Sequence, residues 1–111
     1  MDADEGLDRF GVTAVPQGYD QEYVRWVLGM GPRFATALRE HRTMKMRMSQ
    51  EAFVSGFNDV FGQSWHATVL AKIETHNRAV KLDEAFALAA YMRVPLERLI
   101  GRAPDGKHPE A

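Results

Sequence analysis

The chain has 111 residues, 45% of them hydrophobic and 26% charged, and no cysteine. That is the composition of one globular domain, without a disulfide scaffold or a thiolate metal site. No apolar run approaches the roughly 18 residues of a membrane-spanning helix, and the acidic opening Met1 to Arg9 argues against a secretory leader. The net charge of −1 hides an uneven distribution. Residues 1–24 hold six acids against Arg9, a balance of −5, whereas residues 25–102 hold twelve Lys and Arg against seven acids, a balance of +5. A basic body behind an acidic leader is compatible with a polyanionic partner.

Residues 1–18 carry glycines, Pro16 and acids without periodicity, and are expected to be a mobile acidic leader. In segment 19–31, Tyr23, Val24, Val27, Leu28 and Met30 recur at helical spacing. They predict a short amphipathic helix over about 20–29, broken by Gly29 and Gly31. Pro32 suits a first helical turn, and Phe34, Leu38 and His41 extend a second helix to about 44. Ser49 is an N-cap candidate with Glu51 behind it. Phe53, Val54, Phe57, Val60 and Phe61 form the apolar stripe that follows, closed by Gly62.

Ser64 is positioned to cap a helix over about 65–76, which would bury Trp65, Val69, Leu70 and Ile73. Its polar face would carry His66, Thr68, Lys72, Thr75 and His76. A polar turn at residues 76–78 precedes an Ala- and Leu-rich helix near 83–93. A last short helix at 95–100 ends at Gly101, and residues 103–111 form a flexible tail. No segment alternates with the period of a strand. The prediction is an all-α bundle of five core helices over residues 32–102, plus the N-terminal helix.

Five stretches carry a resemblance: FATALREHR at 34–42, MSQEAF at 48–53, VLAKIE at 69–74, LDEAFALA at 82–89 and VPLERLIG at 94–101. In this order, within 68 residues, they resemble the lambda-repressor-like helix-turn-helix domains of the Cro/repressor type, or XRE family. The span from Ser49 to Glu74 exceeds the short form by about half a dozen residues. This form resembles domains frequent in actinobacterial regulators. The resemblance implies a sequence-specific double-stranded DNA-binding regulator, a repressor of bacterial or phage type, acting in the cytoplasm at the nucleoid. It also implies a homodimer. The marginal helix at 20–29 must bury its apolar face on its own domain or on a second protomer, where it would contribute to that contact, or else dock another protein.

By the same resemblance, base reading falls to Ala67, Thr68 and Lys72. Backbone contacts fall to Gln50, His66, Thr75, Asn77 and Arg78. Thr68 and Lys72 can bond base edges in the major groove, whereas Ala67 offers only apolar contact. An Arg42–Glu74 ion pair would orient the reading helix. Read without the resemblance, residues 39, 42, 45 and 47 could instead be a basic phosphate-binding strip, and Gln50 an ordinary first-turn residue. On the same fold, an antitoxin or a protein-interaction module is the alternative function. The four histidines lack metal-ligand spacing, and no phosphate-binding glycine loop or nucleophile motif occurs. Neither a metal, a cofactor nor an enzyme activity is expected.

Overall fold

The computed structural model describes residues 17–104. The leader up to residue 16 and the tail from residue 105 lie outside the described residues. Among the described residues six α-helices follow one another: α1 (Gln21–Leu28), α2 (Met30–Glu40), α3 (Gln50–Phe61), α4 (Ala67–Glu74), α5 (Leu82–Met92) and α6 (Leu96–Ile100). A wider π-type turn, His41–Met46, extends α2. None of these helices is long and apolar enough to cross a membrane.

Two local signals act differently from their expected roles. Gly31, expected to break the chain ahead of the second helix, lies with Pro32 inside the first turn of α2, the place expected for the proline. First-turn amides have no carbonyl one turn back, so the missing N–H of Pro32 removes nothing. Ser64 caps no helix. The side chain of Asn58 instead grips Trp65 at both backbone atoms, donating to its carbonyl (2.9 Å) and accepting from its N–H (3.0 Å). Residue 65 is held ahead of the helix, and α4 begins only after the extended His66, which contributes no side-chain cap. The helix expected over 65–76 is therefore shorter at both ends.

Other caps follow the sequence. Ser49 Oγ accepts from the Ala52 N–H at 3.1 Å, and Gly62 ends α3 in the left-handed region at φ 61°. Lys81, a poor cap, is served from below: Glu84 accepts its backbone N–H at 3.0 Å.

The core gathers one face from each helix after α1: Phe34 and Leu38 of α2, Phe53, Val54 and Phe57 of α3, and Leu70 and Ile73 of α4. Leu88, Ala89 and Met92 of α5 and Leu99 of α6 complete it. Burying each large side chain is worth about 1.5–3 kcal/mol. Tyr91 stands edge-on to Phe53, with ring centres 5.0 Å apart, and its hydroxyl occupies the space a Cβ on Gly56 would need. Met46 and Met48 both pack on this core, whereas Met44 is exposed. Val60, expected in the stripe, is exposed as well.

Arg33 ties helix α1 to the bundle. Arg33 of α2 donates from Nη2 to the Trp26 carbonyl and from Nε to the Ile100 carbonyl (2.6 Å), and it stacks 5.6 Å from the Trp26 ring centre. Burial lowers the Arg33 pKa from its ordinary value. Tyr23, Val24 and Trp26 become half-buried against their own domain.

Candidate nucleic-acid interface

An eight-residue helix with three buried residues has an exposed side, and in α4 that side is polar. Leu70, Ile73 and Glu74 are buried, while Thr68, Lys72 and Thr75 at i, i+4 and i+7 share one exposed face. His66 is exposed at the cap position, and Ala67 is half-buried. The Thr75 hydroxyl donates to the Ala71 carbonyl at 2.8 Å and accepts from Asn77 Nδ2 at 3.0 Å. Asn77 is itself exposed. None of the large hydrophobic side chains exposed among the described residues belongs to α4.

The C-terminal end of α4 is locked by charge. Arg42 and Glu74 face each other in a two-pronged pair, Nε to Oε2 at 2.7 Å and Nη2 to Oε1 at 2.8 Å. Their side chains are 9% and 2% exposed. Arg42 Nη1 also donates to the Met48 carbonyl at 2.8 Å, and the Arg42 carbonyl accepts from Met48 N at 3.1 Å. The wide turn contributes here. Thr43 Oγ1 donates to the carbonyls of Arg39 (2.8 Å) and Glu40 (3.3 Å) within a helix loosened to π geometry, where Arg42 turns inward. Hydrogen bonding to Glu74 raises the Arg42 pKa from its ordinary value against the opposing effect of burial. A continuous basic strip through residues 39–47 thereby loses Arg42.

Gln50, expected at a phosphate, is half-buried and donates from Nε2 to Glu74 Oε1 at 3.1 Å. It reaches the ion pair through the carboxylate already shared with Arg42. Arg78 is engaged too. Its guanidinium makes two bonds of 2.9 Å to Glu84 and one of 3.1 Å to the Ala79 carbonyl, and it lies 5.5 Å from the Trp65 ring centre. That pair is more open, with side chains 30% and 15% exposed. The hydrogen bond from Arg78 is the main cause that holds the Glu84 carboxyl below the usual carboxylate range.

Sequence reasoning thus missed Asn58, the engagement of Gln50, and Glu84 as the partner of Arg78. Only Glu84 left a signal, as an acid three residues after a poor cap. Among the described residues, no group of three His, Asp or Glu side chains could hold a metal ion. No protein-family model, no curated protein and no solved structure matches the chain.

Proposed function

We propose that the chain is a sequence-specific double-stranded DNA-binding transcriptional regulator, a repressor of bacterial or phage type that works as a homodimer in the cytoplasm. In this reading α3 and α4 are the two helices of a lambda-repressor-like helix-turn-helix, and α4 enters the major groove. One observation carries it: α4 is buried and ion-paired on its inner side, yet offers only short polar and basic groups outward. Hydrogen bonding to base edges needs such groups. A protein-docking use of the same face would call for apolar side chains, and α4 exposes no large one.

Thr68 and Lys72 read bases, the latter at the O6 and N7 acceptors of guanine, and Ala67 meets a thymine methyl. His66, Thr75 and Asn77 lie on or beside the same face and serve phosphates. Gln50 and Arg78 reach phosphates only by sharing or leaving their carboxylate partners. Lys72 is therefore the decisive residue.

Selection of bound sequences from a random duplex library supplies the preferred site. On that site Lys72→Ala or Thr68→Ala costs about 1–3 kcal/mol and relaxes base choice at one position. Equal losses on preferred and random duplexes would reduce Lys72 to a phosphate contact. With about 4–5 phosphates neutralised per protomer, the logarithm of affinity falls against log salt with a slope near −4. Affinity that ignores salt would instead support an antitoxin or protein-docking role.

A further inference from the structure

The outward side of α5 carries an apolar ridge that its own domain leaves uncovered. Leu82 is 74% exposed and Phe86, one turn on, 57%. Exposed Ala90 follows one turn further along the same face. Single exposed apolar residues are ordinary, whereas a row of them along one helix marks a contact surface. The ridge is bounded by charges of opposite sign. Asp83 stands exposed in the first turn, and Arg93 stands exposed at the left-handed C-cap, φ 59°.

This order makes the face complementary to itself. A second copy laid antiparallel across it, with the two-fold axis at the level of residue 88, sets Phe86 of each copy over Ala90 of the other. The same register brings Asp83 opposite Arg93 twice, once at each end. Large meets small, acid meets base, and the helix dipoles oppose. Parallel packing would instead set like charges side by side.

We propose that two copies of this chain pair antiparallel through Leu82, Phe86 and Ala90 of α5, closed at both ends by Asp83–Arg93 bridges. This deepens the homodimer of the preceding reading, but moves the contact from α1, where Tyr23, Val24 and Trp26 are half-buried and Val27 is exposed, to α5. The ridge is smaller than the roughly 800 Å² per partner of a standard interface, so the pairing is weak in isolation.

The test is sedimentation equilibrium of the full chain without DNA, from about 5 to about 500 µM. The mass rises from one copy to two across that range. Phe86→Glu shifts the midpoint up by about tenfold or more, and Asp83→Arg and Arg93→Glu each weaken pairing. The double variant Asp83→Arg/Arg93→Glu returns to within about threefold of the original midpoint. All three positions are exposed or capping, and circular dichroism of each variant shows that the helices persist. A chain of single-copy mass throughout overturns the proposal and leaves the ridge to a different protein. Dimers indifferent to Phe86→Glu, or a double variant no better than the singles, overturn it equally. A monomer that still binds its selected duplex overturns the pairing while leaving the DNA reading intact.

Discussion

The two ends of α4 are held by Arg–Glu pairs in different surroundings. At the C-terminal end Arg42 and Glu74 are almost entirely out of water, and Gln50 and the Met48 carbonyl occupy further hydrogen-bonding positions around them. At the N-terminal end the helix is reached through neutral bonds from Asn58 to Trp65, and through Arg78, half in water, stacked over the same indole. Attraction between charges grows as water is excluded, and so does the cost of stranding one of them. The C-terminal end is therefore fixed, and the N-terminal end, where in the proposed function Ala67 and Thr68 meet the bases, is adjustable.

The largest effect comes from breaking the buried pair on one side. Glu74→Gln keeps the shape but leaves the Arg42 guanidinium without its counter-charge. Loss of about 3–5 kcal/mol in urea unfolding is expected. The double replacement Arg42→Met/Glu74→Leu removes both charges and is expected to cost less than Glu74→Gln alone. A single substitution that costs under about 1 kcal/mol would make this pair energetically no different from a surface one.

Next in size is the neutral clamp. Asn58→Ala removes both bonds to Trp65 and leaves its half-buried backbone groups to find water. The expected cost is about 1–3 kcal/mol, together with faster amide exchange at the start of α4. Unchanged exchange there would mean that the Trp65 ring, packed 4.7 Å from Phe57, holds the segment by itself.

How much of this was legible beforehand depends on the range of each interaction. Ser49 and Gly62 act on their own turn, so both ends of α3 could be read from the sequence. The apolar periodicity gave the buried faces of α2 and α4, because a helix projects its residues the same way wherever it packs. Arg42 with Glu74 was legible only through the family pattern, since 32 residues separate them. The start of α4 was misplaced because Asn58, seven residues before Trp65, competes with Ser64 for the end of the loop. Nothing in the sequence ranks a side-chain clamp above a cap. Arg78 attracted a phosphate role because its charge was visible, while Glu84 could be matched to it only once the turn at 75–81 had a shape.

The smallest effect belongs to the open pair and is best seen as a pH dependence. Arg78 and the Lys81 backbone N–H hold the Glu84 carboxyl below its ordinary range, so the folded state favours the ionised form. A depressed folded value contributes stability that is fully present above the unfolded carboxylate pKa of about 4.3. It is lost as the pH falls through the folded value. Glu84→Gln should therefore cost about 0.5–1 kcal/mol near neutral pH, and the difference from the parent chain should vanish in acid. Salt of about 1 M should shrink the neutral-pH difference too, because these side chains are partly in water. Urea titrations of both chains across the acid range check this. No difference at neutral pH would mean that Glu84 acts through its bond to the Lys81 amide, which glutamine can also make, and not through its charge.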